Sequence, residues 1–226
     1  MFTGLIAATG KILSLTPTDG AHRLRVAAPT AMLRQTRTGD SIAVNGVCLT
    51  ALEIIADEGI FHADLGAETL ARTSLAQLAA GTLVNLEHPT PAGTPLGGHV
   101  VQGHVDGVGC LLSLEPVTAG ANAATTDWWL RVVIPAAYAR YAAEKGSIAI
   151  DGISLTVARV EAVQEDCVVA VNIIPHTYVA TNLHTLTSGA PVNIEVDVLA
   201  KYAERLVAER AAQSPLTLAA LIANGY

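Results

Sequence analysis

The 226-residue chain is 51% apolar and 15% charged, with a formal net charge of −7 at pH 7. A sizeable core can therefore be buried, and an acidic chain with no basic stripe argues against a nucleic-acid partner, because neutralising phosphates takes clustered Lys and Arg. No run of about 18 uncharged apolar residues marks a membrane helix, Met1-Phe2-Thr3-Gly4-Leu5 lacks the basic start of a secretory signal, and the widely spaced Cys48, Cys110 and Cys167 fit a reduced cytoplasmic protein better than a disulfide framework or a zinc site.

In chain order, the first clear element is a hairpin. Strands over residues 40–44 and 47–52 flank Asn45-Gly46, a dipeptide suited to a two-residue turn. A strand over 60–65, a short helix over 68–79 and a strand over 83–87 follow. Pro89, Pro91, Gly93, Pro95, Gly97 and Gly98 make residues 88–98 a connector. Residues 113–127 are small and aperiodic and read as a loop. Beyond it come a strand over 128–134, a short helix over 135–144, a second hairpin about Asp151-Gly152, and strands over 167–174 and 192–196. After Asp197, which suits an N-cap, Leu199, Tyr202, Ala203, Leu206 and Val207 recur at helical spacing. Ser214-Pro215 then opens a further short helix that Gly225 can end. The apolar stripe of the tail either packs on its own chain or meets other subunits.

Much of this order occurs twice. Ser41-Ile42-Ala43-Val44-Asn45-Gly46-Val47-Cys48-Leu49-Thr50 aligns with Ser147-Ile148-Ala149-Ile150-Asp151-Gly152-Ile153-Ser154-Leu155-Thr156. Val84-Asn85-Leu86-Glu87 aligns with Val192-Asn193-Ile194-Glu195, and Thr73-Ser74-Leu75 with Thr181-Asn182-Leu183. A weaker match pairs Phe2-Thr3-Gly4-Leu5-Ile6 with Val101-Gln102-Gly103-His104-Val105. Two copies of many short strands predict an all-β chain with a barrel or sandwich in each half. The divisions fall at 1–97, 98–197 and a helical tail over 198–226.

Residues two apart on a strand share a face, so Cys48 lies with Thr50 and Ser154 with Thr156. Such pairs line a cavity or sit as small core residues bonded to backbone. If residues 97–106 are extended, Gln102, His104 and Asp106 share one face and His99 takes the other, a poor arrangement for a metal. His104 is a candidate general acid or base, or a structural histidine. Phe2 is a candidate at an exposed chain end, or plain core. There is no phosphate-binding glycine loop.

Met1-Phe2-Thr3-Gly4, Asn45-Gly46-Val47-Cys48-Leu49-Thr50, Gly97-Gly98-His99-Val100-Val101-Gln102-Gly103-His104-Val105-Asp106, Asp151-Gly152-Ile153-Ser154-Leu155-Thr156, Ile174-Pro175-His176-Thr177 and Val192-Asn193-Ile194-Glu195-Val196-Asp197 together resemble the riboflavin synthase family. Each motif alone is weak; all of them in order are highly specific and run through about Val207. The resemblance implies two internally homologous six-stranded Greek-key β-barrels plus a C-terminal α-helix, through which the family forms homotrimers. It implies that each barrel binds one 6,7-dimethyl-8-ribityllumazine, that one lumazine donates a four-carbon unit to its twin, and that no metal or redox cofactor is required. The productive site is expected between the N-terminal barrel of one subunit and the C-terminal barrel of another.

Carried over by position, the N-terminal barrel's ligand residues are Gly4, Leu5, Ile6, Cys48, Leu49, Thr50, Asp64, Leu65, Gly66, Ala67, Glu68 and Thr69. Those of the C-terminal barrel are Gly103, His104, Val105, Lys145, Ser154, Leu155, Thr156, Asn172, Ile173, Ile174, Pro175, His176 and Thr177. Phe2, Ser41, Cys48, His104 and Asp197 are the catalytic candidates: His104 to move the methyl proton, Ser41 or Cys48 to assist attack at C7 or orient a water. Lumazine synthase is a further candidate partner. The rival readings are a non-catalytic lumazine- or flavin-binding protein of the same fold and a barrel with no ligand. The intact Phe2-Thr3-Gly4 start and Gln102-Gly103-His104 segment favour the enzyme.

Overall fold

The computed structural model describes residues 1–163, 166–212 and 222. The N-terminal half contains β1 (Ala8–Thr18), β2 (Ala21–Ala27), α1 (Thr30–Leu33), β3 (Ser41–Val44), β4 (Val47–Thr50), β5 (Glu53–Ile55), β6 (Ile60–Leu65), α2 (Ala67–Arg72) and β7 (Leu83–Glu87). The C-terminal half repeats the order with β8 (Gly107–Pro116), β9 (Trp128–Ile134), α3 (Ala136–Ala139), β10 (Ser147–Ile150), β11 (Ile153–Val163), β12 (Asp166–Ile173), α4 (Pro175–Ala180) and β13 (Pro191–Val196). Helix α5 (Val198–Ala212) follows.

The second half is a closed antiparallel barrel in the order β10-β11-β12-β9-β8-β13. The first is a seven-stranded sheet in the order β4-β3-β7-β1-β2-β6-β5. Its two ends, β4 and β5, are one run of chain interrupted only at Ala51 and Leu52. β11 passes the matching point unbroken and absorbs the irregularity as a register shift between Val157 and Arg159. Each half is thus a ring of six runs, one of them split in the first half. Alternation fills the interiors: Val47 and Leu49 point inward from β4, and Leu130, Val132 and Ile134 from β9. Two separate apolar cores result, one per half.

The halves meet at their hairpin tips. Asn45 and Gly46 have φ of 45° and 76°, and Asp151 and Gly152 of 46° and 78°, as a type I′ turn requires. A Cβ on Gly46 would lie 2.7 Å from Gly152 N, and one on Gly152 2.7 Å from Gly46 N. Polar side chains of both halves interlock around this contact. Asn85 N donates to Asn45 Oδ1 (2.7 Å) and Asn193 N to Asp151 Oδ1 (2.8 Å). Asn193 Nδ2 reaches Asn45 O (2.8 Å), and Asn85 Nδ2 reaches Asp151 O (3.0 Å). The sequence repeat is therefore a physical pseudo-two-fold with bonded polar groups on its axis.

Several expected elements change. The helix expected over 68–79 breaks at Thr73, whose side chain accepts from Leu75 N, leaving α2 and a 3-10 turn at Ser74–Gln77. The helix expected over 135–144 is the single turn α3. Strands β1, β2, β5 and β8 lie outside the expected set. In β1 only Gly10 and Ile12 are buried, so alternation leaves little trace. β8 extends to Pro116 and shortens the expected loop to residues 117–127. Asp197 Oδ1 accepts from Leu199 N (2.9 Å), as an N-terminal cap should. Ser214, Pro215 and Gly225 lie outside the described residues.

Candidate active site

The site begins with two crossing segments. Phe2 and Val101 form an antiparallel bridge, with Phe2 N to Val101 O at 2.7 Å. Beyond it each segment lies on the barrel of the other half: Ser154 N donates to Gly4 O (2.8 Å), and Cys48 N to Gly103 O (2.9 Å). Gly4 and Gly103 have φ of 74° and 77°, and a Cβ on either would sit 2.6 Å from the Cβ of Ser154 or Cys48 respectively. Matched carboxylates hold both segments. Glu87 Oε1 accepts from Thr3 N (2.7 Å) and Oε2 from Gly4 N (3.0 Å). Glu195 Oε1 accepts from Gln102 N (2.6 Å), and Oε2 from Gly103 N and His104 N (both 3.0 Å). Burial raises both carboxyl pKa values, and these hydrogen bonds oppose the rise.

Each segment walls a cavity. The first, of about 430 Å³, is lined by Val47 and Cys48, by Glu68, Thr69, Arg72 and Thr73, by Gly103, His104, Val105 and Asp106, and by Tyr138. The second, of about 270 Å³, is lined by Ile153 and Ser154, by His176, Thr177, Ala180 and Thr181, and by Gly4, Leu5 and Ile6. The linings correspond: Cys48 with Ser154, Glu68 with His176, Arg72 with Ala180, and His104 with Leu5. Ionisable groups gather in the first. Arg72 Nε pairs with Glu68 Oε1 at 2.9 Å, and Tyr138 donates its hydroxyl to Asp106 O at 2.5 Å. Asp106 also takes Lys201 Nζ (2.5 Å) and Val196 N (3.0 Å).

The expected allocation between barrels is reversed. Gly4, Leu5 and Ile6 wall the C-terminal cavity, and Gly103, His104 and Val105 the N-terminal one, because the segments exchange barrels at the Phe2–Val101 bridge.

Other expected residues lie off both linings. Leu49, Leu155, Leu65 and Ile173 are buried in the cores. Thr50, Thr156, Gly66, Asn172, Ile174 and Lys145 are exposed, Pro175 is half-buried, and Asp64 pairs with Arg23. Ala67 borders a separate cleft. Among the catalytic candidates, Cys48 and His104 share the first cavity. Phe2 is not at an exposed end but 0% exposed, in an inter-barrel cluster with Ala43, Val101 and Ala149. There its ring backs Gly103 and Cys48. Ser41 is half-buried opposite Thr50. Asp197 is half-buried and caps α5.

The sequence reading missed Arg72, Asp106 and Tyr138 as cavity residues, the last because it comes from the opposite half. It also missed His99, whose Nδ1 lies 2.7 Å from Ser154 Oγ. The signal was Gly98: a Cβ there would sit 2.0 Å from Thr3 O and 3.1 Å from Ser154 Oγ.

The family model of the lumazine binding domain matches this chain twice, over residues 3–89 and 102–197, one match for each barrel. Riboflavin synthase of Mycobacterium bovis is 44% identical over 92% of this chain and 98% of its own length. Those of Photobacterium phosphoreum and Bacillus subtilis are 39% and 37% identical, each over 100% of this chain and 99% and 100% of their own lengths. A crystal structure of LumP complexed with 6,7-dimethyl-8-(1'-D-ribityl) lumazine superposes with a TM-score of 0.72 at 23% identity, covering 87% of this chain and 99% of that one. The chain belongs to the riboflavin synthase family. These relatives favour the enzyme over a non-catalytic binding protein.

Proposed function

We propose that this chain joins two molecules of 6,7-dimethyl-8-ribityllumazine, transferring a four-carbon unit from one to the other and releasing riboflavin and 5-amino-6-(ribitylamino)uracil. The observation that carries this reading is the pair of matched cavities, with Cys48 and Ser154 at equivalent positions. A dismutation of two identical rings needs two like sites, and a duplicated fold supplies them. Holding the rings in opposed orientation removes a bimolecular entropy cost worth up to ~7–11 kcal/mol. Donor and acceptor reactivity lie in the substrate itself, in the acidic 7-methyl group and the electrophilic C7. His104, on the wall of the first cavity beside Cys48, takes the methyl proton. Cys48 assists attack at C7. Phe2 acts from behind by fixing Gly103 and Cys48.

The transferase works as a homotrimer in the cytoplasm. The N-terminal cavity of one subunit faces the C-terminal cavity of another, and α5 joins the subunits. In support, Leu199, Tyr202, Leu206 and Val207 of α5 are each at least 60% exposed in the single chain. The three cysteines are unpaired, and no helix among the described residues is long and apolar enough to cross a membrane. Lumazine synthase is a candidate partner of the trimer. Purified chain incubated with lumazine alone is expected to develop yellow-green flavin fluorescence, with riboflavin and the uracil product in equal amounts by chromatography. Lumazine binding without flavin would return the chain to the non-catalytic reading.

A further inference from the structure

Ser154 and the imidazole behind it form a unit in the second cavity that the reaction scheme above does not use. Ser154 Oγ is 2.7 Å from His99 Nδ1. His99 is 8% exposed, and its Nε2 is buried with no hydrogen-bond partner among the described residues. The backbone fixes the pair: His99 N donates to Thr3 O at 3.2 Å, and Gly98 allows the close approach to Thr3 and Ser154.

That solitary nitrogen decides which way the hydrogen bond runs. A neutral imidazole carries its hydrogen on one nitrogen and accepts at the other. If Ser154 donated to Nδ1, the hydrogen would sit on Nε2 as a buried N–H with no acceptor, a rare and costly defect. With the hydrogen on Nδ1, Nε2 is a bare acceptor, which folded proteins tolerate more readily. The imidazolium would bury a charge as well as an orphan N–H. Burial accordingly lowers the His99 pKa, against the opposing pull of Asp197.

We infer that His99 is a positioning residue for Ser154: its Nδ1–H donates to Ser154 Oγ and turns the serine's only proton into the second cavity, toward an acceptor edge, a carbonyl or ring nitrogen, of the pteridine bound there. The identity of the ligand rests on the proposed function; the direction of the hydrogen bond does not. The matched position in the first cavity is Cys48, a weak donor. At this matched position the second cavity thus has a strong, directed donor and the first a weak one.

Two measurements on the full-length protein test this. In ¹⁵N-histidine NMR at neutral pH, with His99 assigned from its absence in His99→Asn, the ring is expected as the Nδ1-protonated neutral tautomer. An Nε2-protonated ring or an imidazolium overturns the inference. In fluorescence titrations with lumazine, His99→Leu and Ser154→Ala are each expected to weaken binding at the second cavity about tenfold, the worth of one neutral hydrogen bond. The double variant should lose no more than Ser154→Ala alone, because the pair acts as one unit. His99→Asn, which keeps an N–H near Nδ1, should recover most of the affinity. Losses that multiply in the double variant, or an Asn variant as weak as Leu, overturn the inference. These readouts need binding and not turnover: a chain that binds lumazine with these couplings but makes no riboflavin refutes the proposed function and leaves His99 in its role.

Discussion

Asp151 and Asn45 hold equivalent positions on the pseudo-two-fold, and one atom separates their chemistry. Both accept a backbone N–H across their own half, but only Asp151 brings an ionisable group, 1% exposed, to the axis. Burial raises its pKa from 3.8 to about 6, partly offset by hydrogen bonds from Asn193 N and Asn182 Nδ2. A native pKa above the unfolded one means that folding favours the protonated acid. The associated stability is complete below about pH 4, is lost as pH rises toward 6 and stays lost above it. Asp151→Asn should remove this dependence. The difference in unfolding free energy between the variant and its parent should change by roughly 3 kcal/mol between pH 4 and 7, the equivalent of about two pKa units. Urea unfolding across that range measures it, and parallel pH profiles would refute the assignment. Glu87 and Glu195 slope the same way in both proteins and cancel in the comparison.

Among the elements, the helices beside the two cavities show how far the repeat has diverged. α4 brings His176, Thr177 and Ala180 to the second cavity, and Trp128 at the head of β9 stacks on its Tyr178 with ring centroids 3.8 Å apart and planes within 6°. In the first half His22 and Leu70 occupy these places and leave a cleft of about 250 Å³ beside α2. Trp128→Ala should therefore loosen α4 alone, at a cost of about 1–2 kcal/mol for the lost stack and its contact area. Hydrogen exchange should rise in α4 and not in α2, and lumazine should weaken only at the second cavity; equal exchange in both helices would show that the stack does not support α4. Such differences explain what was legible in the sequence. The hairpins were, because Asn45-Gly46 and Asp151-Gly152 announce a turn that few other residues permit. The paired cavities were legible only in part: Cys48 and Ser154 line them, Thr50 and Thr156 do not, and a ligand in each half came from the family resemblance. β1 was not, because half-exposed barrel strands carry little alternation, and α2 was overextended because Thr73 caps a new turn within an apolar pattern. The barrel exchange of residues 4–6 and 103–105 was hidden for a different reason: a crossing depends on long-range contacts such as the Glu87 and Glu195 carboxylates, which leave no local periodicity.

At the scale of the molecule, the proposed sharing of the site between chains rests on α5. Lys201 ties its first turn to Asp106, and Glu204 ties its middle to Tyr141 and Arg140 of the C-terminal half. The helix is thus anchored along one face while Leu199, Tyr202, Leu206 and Val207 stay exposed. Burying a leucine is worth about 1.5–3 kcal/mol, and an unpaired lysine in its place adds a desolvation cost. In a trimer each such substitution acts three times. Leu206→Lys should therefore dissociate the proposed trimer at micromolar concentration while leaving both barrels folded, because Leu206 contributes to neither core. Sedimentation should report a monomer. Lumazine should still bind, since each cavity is walled within one chain. Riboflavin formation should fall by orders of magnitude and recover in part as protein concentration rises. A monomeric variant with full turnover at every concentration would place both rings within a single subunit and remove the need for a shared site.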